Sequence, residues 1–81
     1  MANSEHVEIL QGGVIAWNTW RGENPNTIPD LTGANLSKAR LTGADLTKAN
    51  LTETNLKANL SKANLSKAIL SKANLTGANL T

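Results

Sequence analysis

Leucine recurs through residues 29–81 at a nearly constant spacing of five residues, and alanine stands two positions before most of these leucines. The repeating unit reads A(N/D)L(S/T)x. This spacing fits neither the alternation of a strand nor the helical period of about 3.6 residues. A chain that turns a corner after every unit would direct each leucine towards a common axis, which predicts a solenoid. The predicted core ladder is Leu31, Leu36, Leu41, Leu46, Leu51, Leu56, Leu60, Leu65, Leu70, Leu75 and Leu80.

Several positions depart from the repeating unit. The step from Leu56 to Leu60 is one residue short, so either the corner tightens there or the later units lose register with the turn before them. We favour a tightened corner, which keeps both leucines directed inward. Ile69 occupies a position that is polar in most units, and Thr54 replaces an alanine. A threonine hydroxyl at that inward position needs a backbone partner.

The N-terminal segment carries a helical pattern instead. Residues 4–22 predict one amphipathic helix, with Ser4 as its N-cap and Gly22 followed by Pro25 as its stop signal. Gly12 and Gly13 weaken the helix and mark the place where it would break. We expect this helix to cover the first turn of the solenoid. Its predicted contact residues are Val7, Leu10, Val14, Trp17 and Trp20.

The units ANLSK, ADLTK, ANLTE and ANLTG resemble those of the pentapeptide-repeat family, and the resemblance covers residues 29–81. It implies an all-β solenoid, a right-handed quadrilateral β-helix with four units per coil. Residues 29–81 would then form about two and a half coils, a stack ~12 Å high. The block AWNTWRGENPNTIPDL resembles the leaders of bacterial members. We therefore divide the chain into a helical cap and connector, residues 1–28, and a β-helix, residues 29–81.

Composition narrows the classes of function. The chain has no cysteine, and its only aromatic residues besides one histidine are two tryptophans. No apolar run approaches the ~20 residues of a membrane span, and the N-terminus lacks a signal peptide, so we expect a cytoplasmic protein. Residues 31–81 carry seven cationic side chains and two carboxylates. The five lysines at one repeat position map to different faces, without aromatic stacking platforms, so nucleic-acid binding is not expected.

Catalytic chemistry is not expected either. The only histidine, His6, lies in the first helical turn and is predicted to be solvated. Asp30 and Asp45 occupy the ordinary polar position before leucine, and outward positions do not enclose a cleft. Motifs for phosphate, zinc or calcium are absent from the sequence. We predict no catalytic, cofactor or metal residues and no small-molecule substrate.

The predicted function is that of a non-catalytic structural or interaction module. It would act through self-association or protein binding, as a C-terminal coil dimer or by end-to-end stacking, because the last coil has no cap. Ile69, Leu75 and Leu80 are the candidate interface residues. One alternative is mimicry of duplex DNA towards type II topoisomerases, the best-known activity in the family, from which the basic repeats and short length depart. Another is the N-terminal piece of a larger multidomain scaffold.

Overall fold

Two helices precede the repeats in the computed structural model, which describes residues 2–81; Met1, where the predicted cap region begins, lies outside that range. Helix α1 spans Ser4–Gln11 and helix α2 spans Val14–Glu23. The prediction of one helix is wrong, because the chain leaves the helical path at the glycine pair. Gly13 has φ of 114°, a conformation that residues with a side chain rarely adopt.

The ends of the helices also lie one or two residues from their predicted positions. The N-cap of α1 is Asn3 rather than Ser4, and its Oδ1 accepts hydrogen bonds from the N–H groups of Glu5 and His6. Gly22 lies inside α2, whose C-cap is Asn24. Asn and Ser share the side-chain oxygen that an N-cap requires, so the sequence does not distinguish between neighbours of this kind.

Single-residue parallel bridges connect the repeats, and residues 2–81 contain no strand longer than one residue. Each bridge joins residues that are 19 or 20 positions apart, so the chain returns to the same place after four units. This parallel pairing agrees with the expected repeat, while the complete β-helix stays a prediction. The bridges are Asp30 to Asn50, Asn35 to Asn55, Arg40 to Asn59, Asp45 to Asn64, Asn50 to Ile69, Asn55 to Asn74 and Asn59 to Asn79.

Each full unit ends in a tight turn that begins at its leucine. In one example the N–H of Ala44 donates to the carbonyl of Leu41 at 3.0 Å, and Gly43 between them has φ of 74°. A positive φ at the third residue alone is typical of a type II turn. The same position in other units holds residues with a side chain, at φ between 59° and 66°, namely Lys38, Lys48, Glu53, Lys62, Lys67 and Lys72.

The Asn or Asp before each leucine fixes the start of that turn. Its Oδ1 accepts a hydrogen bond from the backbone N–H two residues later, an Asx turn, as from Asn35 to Ser37 at 3.1 Å. Every unit with Asn or Asp at this position makes this bond. The polar position of the unit is therefore explained by local backbone geometry.

Burial of the leucines declines along the chain. The seven from Leu31 to Leu60 are at most 2% exposed and form the centre of the hydrophobic core. Leu65, Leu70 and Leu75 are half-buried, and Leu80 is 56% exposed. The last turn of repeats therefore presents an uncovered apolar face.

The four-residue step is accommodated by a tighter corner. The N–H of Ala58 donates to the carbonyl of Leu56 at 2.6 Å, closing a three-residue turn where other units use four. Leu56 and Leu60 are 0% and 2% exposed, so both stay inside, and the prediction of a tightened corner is confirmed. The Thr54 hydroxyl donates to the Leu51 carbonyl at 2.8 Å, which supplies the expected backbone partner.

Candidate functional site

Successive turns of the repeat are joined by two kinds of backbone hydrogen bond. The N–H of Leu31 donates to the carbonyl of Asn50 in the following turn at 2.9 Å. In the opposite direction, the N–H of Asn50 donates to the carbonyl of Pro29 at 2.9 Å. Within the described residues no repeat precedes the first turn or follows the last, so each has one row of donors and acceptors that is not paired with another repeat.

The helical segment replaces the neighbouring turn at Asp30. The backbone N–H of Asn3 donates to the Asp30 carbonyl at 3.0 Å. The Asp30 N–H in turn donates to the Nδ1 of His6 at 3.0 Å. His6 is only 7% exposed and its ring lies 4.9 Å from that of Trp20, so the prediction of a solvated histidine is wrong.

A second set of cap contacts takes the place of a preceding turn at Asp45. The Nε1–H of Trp17 donates to the Asp45 carbonyl at 2.8 Å, and the Asp45 N–H donates to the Oδ1 of Asn18 at 2.8 Å. The Nη2 of Arg21 donates to the carbonyl of Thr47 at 2.8 Å and lies 3.8 Å from the Asp45 carboxylate. Side chains of α2 thus provide the hydrogen-bonding groups that another turn of repeats would provide.

The predicted cap residues differ in how deeply they are buried. Trp17 and Leu10 are 0% and 2% exposed and belong to the core. Val7, Val14 and Trp20 are half-buried and pack against it. The helices therefore contribute apolar contacts as well as backbone partners at the first turn.

The opposite end has no such cover among the described residues. The N–H groups of its leucines donate to no acceptor within residues 2–81, although the equivalent groups in earlier turns all do. Ile69 is 49% exposed beside this face. The open face consists of Leu65, Leu70, Leu75 and Leu80. The interface candidates Leu75 and Leu80 lie on it, and Ile69 lies at its edge.

A family model described as pentapeptide repeats matches residues 30–57 and 58–81, in eight copies. The chain belongs to the pentapeptide-repeat family. Proteins of this family are in general non-enzymatic structural or interaction proteins. The comparison with curated proteins returned no match.

Charged side chains are distributed unequally along the pentapeptide repeats. Residues 60–81, which include the last turn, contain Lys62, Lys67 and Lys72 and no Asp or Glu, so every charged side chain there is cationic. At the capped end, hydrogen bonds from Thr32 hold the pKa of Asp30 below its usual value, in spite of some desolvation. Hydrogen bonding from Thr47, with a smaller contribution from the charge of Arg21, likewise lowers the pKa of Asp45.

Across residues 2–81, no three His, Asp or Glu side chains lie close enough together to hold a metal ion. Neither α1 nor α2 has the length and apolar character needed to cross a membrane. The structure instead identifies three polar residues, His6, Asn18 and Arg21, whose roles at the cap did not emerge from the sequence pattern.

Proposed function

We propose that this pentapeptide-repeat protein is a non-catalytic interaction module whose last turn associates with a second copy of the chain. The open leucine face is the observation that supports this. Leu80 is 56% exposed, whereas the stacked Leu41 and Leu60 are 2% exposed. Covering one exposed leucine is worth about 1.5–3 kcal/mol, so a partner at this face would stabilise the last turn.

We also infer that residues 29–81 form a right-handed quadrilateral β-helix of about two and a half coils behind the cap of residues 1–28. The bridge spacing of 19 or 20 residues supports four units per coil. The turn at each full unit supports corners between flat sides. A stack of this kind ends in a flat apolar surface, which suits contact with a like surface.

A tail-to-tail dimer would satisfy both the apolar and the polar groups of the open face. Two copies related by a two-fold axis present the same patch to each other, and that patch must be complementary to itself. The exposed backbone row contains alternating donors and acceptors, as any sheet edge does, so two such rows can pair. End-to-end stacking would bring the open face against α1 and α2, whose contacts already occupy the edges at Asp30 and Asp45.

Charge predicts how this dimer depends on salt. The only charged side chains in the last turn of each copy are lysines, so tail-to-tail contact brings like charges together. Raising the ionic strength shortens the Debye length to ~3 Å at about 1 M salt and reduces this repulsion. We therefore expect the dimer to become stronger with salt. The cap of residues 1–28 carries Glu5, Glu8 and Glu23 against Arg21, so binding between the cationic last turn and this cap would become weaker.

Sedimentation equilibrium at micromolar concentration and two ionic strengths tests the proposal. We expect the mass of a dimer, with a larger dimer fraction at high salt. A chain that stays monomeric yet unfolds cooperatively would overturn the proposal. Mass that grows without limit, and falls with salt, would favour end-to-end stacking instead.

Matched variants locate the contact. Leu75→Glu places a charge in the open face and should give a monomer at every ionic strength. Ile15→Glu changes an isoleucine that is 86% exposed on α2, and should leave the dimer intact. Ile69→Asn removes an exposed apolar side chain and restores an Asx-turn acceptor, so it should weaken the dimer without lowering the free energy of unfolding. Equal effects of the Leu75 and Ile15 changes would argue against the proposed face.

DNA mimicry receives no comparable support. An acidic rod is needed to imitate the phosphate backbone. The repeats carry seven cationic side chains against Asp30, Asp45 and Glu53, and only one ion pair, between Arg21 and Asp45, lies within 4.0 Å in residues 2–81. We therefore retain the interaction module as the proposed function, and a cytoplasmic location stays a prediction from the sequence.

A further inference from the structure

The shortened corner leaves a notch in the side of the repeat stack. The turn before it has the additional residue Lys38 at this corner, and the turn after it has Gly77. In the turn between them, only Lys57 separates Leu56 from Ala58, where other corners have two residues. The side of the stack is therefore recessed at this corner. The resulting cavity has a volume of about 360 Å³ and opens to solvent.

Three cationic side chains line this notch. Lys38 and Lys57 are neighbours in successive turns, since the Lys38 N–H donates to the Lys57 carbonyl at 2.8 Å. Arg40 lies two residues beyond Lys38, in the unit that bridges to Asn59. All three cations are exposed, and none has a carboxylate within 4.0 Å among residues 2–81. Each therefore keeps its hydrogen-bond donors available to a ligand.

The remaining polar side chains in the notch also offer donors. The Oδ1 of Asn59 accepts from the N–H of Ser61 at 3.0 Å, and the Oδ1 of Asn79 accepts from the N–H of Thr81 at 3.1 Å. These Asx turns occupy the amide oxygens, and the Nδ2 groups make no hydrogen bond within residues 2–81. The lining contains no carboxylate. Such a lining is complementary to an oxyanion with several acceptor atoms.

We propose that this notch binds a multiply charged oxyanion of the phosphate type, either free or as the terminal group of an ester. The planar guanidinium of Arg40 can donate two parallel hydrogen bonds to phosphate oxygens, and the lysines add charge. Neighbouring like charges in the notch repel each other, and a bound anion would offset this repulsion. The recess distinguishes the site from the corner at Lys48 and Lys67, which has two stacked lysines but a full-length turn.

A titration with inorganic pyrophosphate, followed by ¹H–¹⁵N amide spectra of the whole chain, tests the site. A parallel titration with glycerol 3-phosphate identifies whether a free anion or an ester binds better. We expect saturable shifts at residues 38–40 and 57–59, which become smaller at high salt. Shifts spread evenly over all lysine-bearing corners, or no saturable shift with either compound, would overturn the proposal.

Charge-matched variants separate this site from general attraction of anions. Arg40→Gln combined with Lys57→Gln should weaken binding by at least ~10-fold, because charged hydrogen bonds are lost. Lys48→Gln combined with Lys67→Gln removes the same charge from the full-length corner, and should weaken binding by less than ~3-fold. Equal losses in the two double variants would show that net charge alone governs binding and would reject the site.

Inserting one glycine between Lys57 and Ala58 tests the shape of the site at constant charge. The insertion restores a five-residue unit of the kind found at other corners and fills the recess. We expect binding to fall by at least ~10-fold although every cation is retained. Unchanged binding in a folded insertion variant would overturn the proposal. If the insertion does not fold, the comparison of the two glutamine variants decides.

Discussion

The Nδ1 of His6 accepts a hydrogen bond from the backbone N–H of Asp30 at 3.0 Å. One turn later the equivalent N–H, that of Asn50, donates to the carbonyl of Pro29 at 2.9 Å. The imidazole therefore stands where a backbone carbonyl of a preceding turn would stand. This contact requires the tautomer with its proton on Nε2, because only an unprotonated Nδ1 can accept.

Replacing His6 should show how much this acceptor contributes to stability. His6→Phe keeps a ring near Trp20 but leaves the Asp30 N–H without its partner, so we expect the free energy of unfolding to fall by about 1–2 kcal/mol. His6→Asn offers an oxygen close to the position of Nδ1 and should recover part of that loss. Urea unfolding followed by circular dichroism provides the measurement. A phenylalanine variant as stable as the parent would show that ring packing, and not the hydrogen bond, explains the burial of His6.

The sequence predicted the repeats more fully than the cap because the two depend on different kinds of information. The five-residue spacing of leucine is a periodic signal, and it anticipated both the buried ladder from Leu31 to Leu60 and the tightened corner. His6 and Asn18 are single polar residues whose partners lie 24 and 27 positions away. A helical pattern places Asn18 on the polar face, and only the docked helix shows that this face contacts a backbone edge.

The open face and the cationic notch were likewise predictable to different extents. Leu75 and Leu80 followed from counting coils, since the last members of any stack lack a neighbour. The notch required two facts together, namely that the short step stays in register and that Lys38 and Lys57 are neighbours in successive turns. Register is a property of the whole turn of repeats. The local spacing could not by itself distinguish a recess at the corner from a loss of register in the following units.

Acid should destabilise the protein through Asp30 and Asp45. The pKa of each carboxyl is lower in the folded chain than its ordinary value, so the unfolded state binds protons first as the pH falls. The stabilisation is present above about pH 4 and is lost as the pH falls through the lowered pKa values. Asn at both positions keeps the Asx-turn acceptor but cannot titrate. We expect the double Asn variant to lose less stability than the parent between about pH 5 and pH 3.

Urea unfolding at several pH values measures this difference. Glu5→Gln combined with Glu8→Gln is the control, because it removes two carboxylates from α1 and leaves both Asx turns unchanged. That control should keep the acid sensitivity of the parent. Identical pH profiles for the parent and the double Asn variant would show that Asp30 and Asp45 do not account for the loss of stability in acid.

Two Gly→Ala substitutions, at Gly43 and Gly22, should have opposite effects. Neither added Cβ meets an atom within 4 Å, so the backbone conformation at each position decides the change in stability. At Gly43 the positive φ of 74° is unfavourable for a residue with a side chain, and we expect a loss of about 1–2 kcal/mol. Gly22 lies inside α2, where alanine should stabilise the protein by about 0.5–1 kcal/mol. Urea unfolding of both variants provides the comparison. A gain at Gly43 would contradict the type II turn.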